Sequence, residues 1–251
     1  MVYWRLLVAS SCLSFLISGC GNVANSAAKD SKQVVQEINV AQFISEAQIT
    51  KKAEYFFHQG NIFLNSHRYE EAIRNFNKAV SIKPQLAEGW INRGNALTAL
   101  QRYQEALVSY EKAIAIKPNR DEAWYNRGNI LSKMRRYQEA IASYDKAIAI
   151  KPNKYEAWIN RGIALTKLQR YQEAIASYDK AIAIKPNKHL AYYNKACTYA
   201  LQNNIKLTIE NLEKAIKFNP DKYAKIARTD PDFHKVRDNK KFQALLQVTS
   251  K

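Results

Sequence analysis

Five prolines stand at positions 84, 118, 152, 186 and 220, each 34 residues after the last. The intervening segments repeat as well. Residues 137–154 read YQEAIASYDKAIAIKPNK, residues 171–188 read identically, and residues 103–120, YQEALVSYEKAIAIKPNR, are nearly the same. Self-similarity at a fixed period of this size marks an array of stacked units, each too small to bury its own hydrophobic surface, in place of one globular core. Only 7 Gly and 6 Pro occur in 251 residues, while Ala, Lys, Glu, Gln, Leu and Ile dominate. Such a composition favours helices and supplies few turns.

With each proline placed at position 32, units begin at Ala53, Ala87, Asp121, Tyr155 and His189. Position 4 holds Phe56, Trp90, Trp124, Trp158 and Tyr192, position 8 holds Gly60, Gly94, Gly128, Gly162 and Ala196, and position 11 is apolar throughout. Spacings of 4 and 3 put these side chains on one helical stripe. Positions 20, 24 and 27 form a second stripe: Ala72, Phe76 and Ala79 in the first unit, Ala140, Tyr144 and Ala147 in the third. Gly at 8 and Ala at 20 leave room for close backbone approach, with the aromatics at 4 and 24 filling the flanks. Proline at 32 ends the second helix, because it lacks an N–H and crowds the preceding turn.

This pattern resembles the tetratricopeptide repeat over residues 53–220, about two-thirds of the chain. The resemblance implies an all-α fold, a right-handed superhelical solenoid of five helix pairs, with units 53–86, 87–120, 121–154, 155–188 and 189–222. Residues 221–251 then read as a capping helical segment. Tyr223, Ile226 and Ala227 open it on one face, Asp230 caps a turn with Pro231 at its first position, and Asp238 caps a last helix bearing Phe242, Leu245 and Leu246.

Residues 1–19 read as a targeting segment. One basic residue, Arg5, precedes an apolar run from Leu6 to Ile17. That run is shorter than the roughly 20 apolar residues that cross a bilayer and has the size of a signal-peptide core. It ends in Ile17-Ser18-Gly19-Cys20, which resembles the lipobox of bacterial lipoproteins. The resemblance implies cleavage before Cys20, lipidation of Cys20 and membrane attachment on the exported side. The alternatives are an ordinary cleaved signal peptide cut near Ala27-Ala28, giving a secreted or periplasmic soluble chain, and an uncleaved anchor or a misread start. In the enterobacterial sorting pattern Asp after the Cys retains a lipoprotein at the inner membrane. Gly21 stands there, which favours the outer membrane or periplasmic face. Residues 20–52 read as a tether, polar and small from Gly21 to Lys32, with a possible short helix over Val34–Ile49. Of the three cysteines, Cys12 leaves with the signal and Cys20 takes lipid, so Cys197 is alone and no disulfide framework exists. Its helical setting predicts a buried apolar role.

In the family the resemblance names, an inner groove is lined by first-helix positions 2, 5, 6, 9, 12 and 13. Position 6 carries His58, Asn92, Asn126, Asn160 and Asn194; position 9 carries Asn61, Asn95, Asn129, Ile163 and Cys197; position 5 includes Tyr125 and Tyr193. The implied surface is a ladder of amides flanked by apolar and aromatic groups. Its candidate peptide-binding residues are Asn92, Asn95, Tyr125, Asn126, Asn129, Asn160, Tyr193 and Asn194. An amide both donates and accepts, so it can hold the backbone of an extended peptide. Some relatives clamp a C-terminal carboxylate with groove cations. Here position 2 carries Glu54, Glu88, Glu122 and Glu156, and only Lys133 and Lys167 are groove cations, which argues against that mode. Position 7 holds Arg93, Arg127, Arg161 and Lys195 where Leu is common, and position 25 holds Glu111, Asp145, Asp179 and Glu213. Each cation is expected to meet such an acid within or between repeats.

The formal net charge is +17. Lys83, Lys117, Lys151 and Lys185 recur at position 31 and predict a basic stripe along one edge. It could face anionic head groups or acidic polymer, or merely be solvated. Nucleic acid is disfavoured by the export signal and by the absence of an aromatic platform. The four His are scattered, no Cys or His pair has metal spacing, and neither a phosphate loop nor a nucleophile elbow occurs. Glu at position 19 recurs in the first four units and reads as structural. No enzyme, cofactor or metal is expected. The expected role is a noncatalytic scaffold for a protein or peptide partner, membrane-tethered through Cys20. A pilus or outer-membrane assembly lipoprotein, or a receptor for acidic surface polymer, is the alternative.

Overall fold

A computed structural model describes residues 21–247. The signal segment and Cys20 lie outside these residues. Two compact units divide the chain near Lys51. In the first, residues 21–51 are helical throughout, as part of α1 (Gly21–Asn65). The tether expected over Gly21 to Lys32 is therefore helix. No Gly or Pro interrupts the sequence between Asn22 and Gln59, and these are the residues that break helices.

The second unit is the array. The C-terminal part of α1, from Lys52, pairs with α2 (Tyr69–Ile82). Four further pairs follow: α3 (Ala87–Ala99) with α4 (Tyr103–Ile116), α5 (Asp121–Lys133) with α6 (Tyr137–Ile150), α7 (Tyr155–Lys167) with α8 (Tyr171–Ile184), and α9 (His189–Leu201) with α10 (Ile205–Phe218). From α2 to α10 each helix packs on the next in chain order, and Phe57 of α1 meets Phe76 of α2. Successive first helices also touch, α3 on α5, α5 on α7 and α7 on α9, whereas second helices stand farther apart. The first helices therefore line the inner, concave face.

The glycine at position 8 has a specific task. A Cβ on Gly94, Gly128 or Gly162 would sit 2.5–2.6 Å from a ring carbon of Tyr110, Tyr144 or Tyr178, and one on Gly60 would meet Phe76 as closely. The ring at position 24 fills the space that the missing side chain leaves. In the fifth unit the ring is replaced by Leu212 and the glycine by Ala196, and both are fully buried. A smaller partner tolerates the extra methyl. The tryptophans at position 4 hold neighbouring units together. Trp90, Trp124 and Trp158 donate their indole N–H to the carbonyls of Pro84, Pro118 and Pro152 at 2.8–2.9 Å.

Each pair turns through a residue that is not glycine. His67, Gln101, Arg135, Gln169 and Asn203, at position 15, all adopt φ near +60°. The next amide bonds back five residues, as in Arg102 N–H to Leu97 O at 2.9 Å, which closes a Schellman turn. The second helices of the first four units start on Arg, whose side chain meets Glu three residues on. Arg68–Glu71, Arg102–Glu105, Arg136–Glu139 and Arg170–Glu173 lie at 2.6–2.7 Å. This is the role of the repeated position-19 glutamate: it binds the preceding arginine and sits in the first helical turn, where negative charge is favourable.

After the array come α11 (Pro220–Thr229), a 3₁₀ turn over Pro231–Phe233 and α12 (Lys240–Gln247). Asp230 accepts the Asp232 N–H, as its sequence position suggests. The α12 cap is Asn239 and not Asp238: its side chain accepts from the amides of Lys241 and Phe242. Tyr223 and Ala227 are buried, joined by Ala224, while Ile226 is 39% exposed and points away. Tyr223, Phe233, Val236, Phe242 and Leu246 form one core with Tyr193, Cys197 and Leu212 of the fifth unit.

Candidate functional site

The concave face is built from positions 5, 6 and 9 of the first helices. Its asparagines bond to one another in a ladder that crosses unit boundaries. The side-chain N–H of Asn92 donates to Asn61 Oδ1 at 2.7 Å, that of Asn126 to Asn95 at 2.9 Å, and that of Asn160 to Asn129 at 2.9 Å. Each acceptor oxygen in the second and third units also takes the hydroxyl of the ring behind it, Tyr110 on Asn95 and Tyr144 on Asn129. The ladder thus links the groove to the Gly–Tyr core and fixes the side chains on the concave surface. It leaves the Nδ2 protons of Asn95 and Asn129 and the Oδ1 atoms of Asn92 and Asn126 with no partner assigned among the described residues. Between them lies a recess of about 140 Å³, lined by Asn95, Thr98, Tyr110, Asn126 and Asn129.

The ladder stops at the fifth unit. Asn194 has no rung to reach, because the position-9 residue before it is Ile163. Its Nδ2 is buried and has no hydrogen-bond partner among the described residues. Tyr193 is withdrawn from the groove altogether. It is 6% exposed, lies 5.8 Å edge-on from Phe233, and donates its hydroxyl to Asp230 at 2.6 Å. The C-terminal segment covers it, and Lys167 meets Asp232 at 3.6 Å at the same end. Cys197 is buried there as expected, its thiol 3.9 Å from Asp230. Burial, then the nearby Asp230 and Asp232, push that thiol well above its ordinary range, which disfavours the thiolate form. Of the sequence-derived groove residues, Asn92, Asn95, Tyr125, Asn126, Asn129 and Asn160 share one surface, while Tyr193 belongs to the cap.

Behind this face the position-7 cations bridge units. Arg127 donates to Glu111 of the preceding unit at 3.2–3.3 Å and to Ser143 of its own at 2.7 Å. Arg161 does the same with Asp145 and Ser177, and Lys195 pairs with Asp179 of the preceding unit. Arg93 finds Asn77 in place of an acid, together with Ser109. The expected acid is met by Arg127, Arg161 and Lys195, each time in the preceding unit, and not by Arg93. The serine at position 23 escaped the sequence reading.

A second recess of about 230 Å³ opens on the concave side where the third, fourth and fifth units meet, among Tyr125, Tyr155, Ile159, Asn160, Lys188 and Leu190. Beside it lies a wider one of about 400 Å³ that shares Tyr125, Tyr155 and Glu156 and adds Lys151, Asn153 and Lys154. No cluster of His, Cys, Asp and Glu that could hold a metal occurs among the described residues, and no described helix is long and apolar enough to cross a membrane.

Comparison with known proteins places this geometry. Family models described as tetratricopeptide repeat match residues 121–154, 155–188 and 189–222, and one described as TPR repeat matches 60–100 and 94–134. No curated protein matches the chain at the sequence level. Among solved structures the chain is similar to YrrB, described as a TPR protein with an unusual peptide-binding site. The identity is 25%, over 72% of this chain and 93% of that one, with a TM-score of 0.62. It also shares the fold of MamA from Desulfovibrio magneticus RS-1, at 22% identity over 68% and 97% of the two chains and a TM-score of 0.65. With matches running from residue 60 to residue 222 of 251, the chain belongs to the tetratricopeptide-repeat family, a family of noncatalytic protein-binding scaffolds.

Proposed function

We propose that the concave face holds an extended peptide or protein segment, with the amide ladder gripping its backbone, and that Cys20 tethers the scaffold to a membrane on the exported side. The ladder carries the first half of this reading. Its rungs are fixed by mutual hydrogen bonds, yet each amide keeps hydrogen-bonding capacity toward the groove. Pre-set donors and acceptors lower the ordering cost of binding. The lipobox-like Ile17-Ser18-Gly19-Cys20 supports the second half. Such a tethered scaffold would suit assembly of a surface structure.

Affinity capture from cross-linked membrane fractions tests the groove. A protein retained by the native chain and lost by a folded Asn95→Ala/Asn129→Ala variant supports the reading; equal retention by both moves the binding surface elsewhere. Metabolic labelling with an alkyne fatty acid tests the tether. Label on the native chain and none on Cys20→Ser is expected, whereas an unlabelled native chain contradicts lipidation.

The basic edge receives less support as a polymer-binding stripe. Its members do not share one environment: Lys117 is paired with Glu88 at 3.0 Å, and Lys185 lies over the Tyr155 ring.

A further inference from the structure

The units are alike, so a break in their pattern is informative. In the second and third units the cations that end the unit close onto a carboxylate at its start. Lys117 and Arg120 reach Glu88 at 3.0 and 3.8 Å, and Lys154 reaches Asp121 at 2.8 Å. The fourth unit begins with Tyr155 where the third has Asp121. Its two closing cations, Lys185 and Lys188, lie over the Tyr155 ring at 5.0 and 5.2 Å. Neither makes an ion pair among the described residues. Glu156, the acid of that unit, neighbours the Tyr155 hydroxyl. Two ammonium groups therefore lie over one aromatic ring, and neither is ion-paired with Glu156 among the described residues.

Lys188 borders the 230 Å³ recess, Lys185 lies over the Tyr155 ring that forms part of its wall, and the wall is mostly apolar, with Glu156 as its one carboxylate. Tyr125, Tyr155, Ile159 and Leu190 supply its apolar surface, Leu190 being 42% exposed, and Asn160 also lines it. Asn160 already donates to both Asn129 and Tyr125. His189 bonds the Tyr223 hydroxyl, and burial together with Lys222 and Lys188 lowers its pKa, so it adds no charge near neutral pH. An apolar slot beside unpaired ammonium groups matches an apolar side chain next to a carboxylate.

We propose that this recess is the specificity pocket of the groove: it takes a Leu, Ile, Met or Phe side chain of a bound peptide segment, with an adjacent Asp or Glu settling on Lys188 and Lys185. This rests on the groove reading above and adds what the partner carries. The amide ladder of the second and third units reads backbone, which every peptide has. The Tyr155 pocket selects among peptides.

Panning a phage-displayed random dodecapeptide library on the full chain, followed by fluorescence anisotropy with the enriched peptides, tests the assignment. Enriched peptides are expected to carry an apolar residue beside an acid. Their affinity should fall at least tenfold with Lys188→Glu and with Leu190→Asp, both at partly or largely exposed side chains whose replacement leaves the helical circular dichroism unchanged. Changing the acid of the peptide to its amide should remove most of the Lys188 effect. Enriched peptides that are basic or lack an apolar residue would overturn the pocket. So would peptides that bind Lys188→Glu and Leu190→Asp as tightly as the native chain but are lost with Asn95→Ala/Asn129→Ala; in that case the groove reading survives. Peptides indifferent to all four substitutions, or no enrichment at all, would overturn both.

Discussion

Replacing Gly128 by alanine should be costly in the native chain but add almost nothing once Tyr144 is leucine. The added Cβ would lie 2.6 Å from Tyr144 Cε1, where ordinary contact begins near 3.4 Å, so the ring must retreat by most of an ångström. It is poorly placed to do so. Tyr144 is 1% exposed, and its hydroxyl is held by Asn129 at 3.0 Å, which also anchors Asn160. Overpacking of this kind costs about 1–3 kcal/mol. A lost hydrogen bond adds about 1 kcal/mol, and the better helix propensity of alanine returns about 1 kcal/mol. The net is about 2 kcal/mol. Tyr144→Leu alone should cost about 2–3 kcal/mol, from lost volume and the lost hydroxyl contact. The pair together rebuilds the Ala196–Leu212 arrangement of the fifth unit, so the double variant should fall no further than Tyr144→Leu alone. Guanidinium unfolding followed by far-UV circular dichroism gives the three differences. The expected coupling is about 2 kcal/mol in favour of the double variant. Strict additivity would refute the idea that the glycine exists to admit the ring.

Three other outcomes follow from the same contacts. Arg127→Ala should lower the melting temperature measurably, because Arg127 joins Glu111 to Ser143; Arg127→Lys should recover only part, since one ammonium cannot reproduce the fork, and no change on Arg127→Ala would remove the bridge from the account. Asn126→Ala should cost about 1 kcal/mol in denaturant unfolding, because its amide donates to Asn95, whereas Asn194→Ala should be near neutral, its Nδ2 having no partner among the described residues; equal costs would contradict the ladder. Glu71, Glu105, Glu139 and Glu173 are held below their ordinary pKa of 4.5 by their arginine hydrogen bonds. Between the lowered folded value and 4.5 the unfolded chain binds more protons, so this stabilisation is complete above pH 4.5 and fades as pH falls through the folded values. A Glu105→Gln/Glu139→Gln/Glu173→Gln variant should therefore lose less melting temperature than the native chain between pH 5 and pH 3, and equal losses would contradict the assignment.

The 34-residue period, the two apolar stripes and the proline stops were enough to place the helix pairs, because each rests on local chemistry repeated several times. What the sequence hid depends on contacts between units. Asn92 and Asn61 are 31 residues apart, and only stacking shows that one amide serves the other. The signal was nevertheless present: position-6 and position-9 asparagines pair in successive units until Ile163, where the ladder ends. Ser143 bonds its own helix at Glu139 O, as any helical serine can, and only the packing of α5 on α6 shows that it also receives Arg127. Tyr193 fitted the groove register but fell under the cap, since Asp230 and Phe233 have no counterpart in the repeats to announce where they fold. The extension of α1 back to Gly21 was missed because small polar residues suggest a loop, yet no breaker stands among them.

Site-specific photo-crosslinking in cells tests most directly whether the concave face is the binding surface. p-Benzoylphenylalanine at Tyr125, on the inner face, and at Val108, 46% exposed on the second helix of the second unit, place the same probe on opposite helices. Adducts to a defined partner from Tyr125 and none from Val108 are the expected result. Adducts from Val108 with none from Tyr125 would contradict the account.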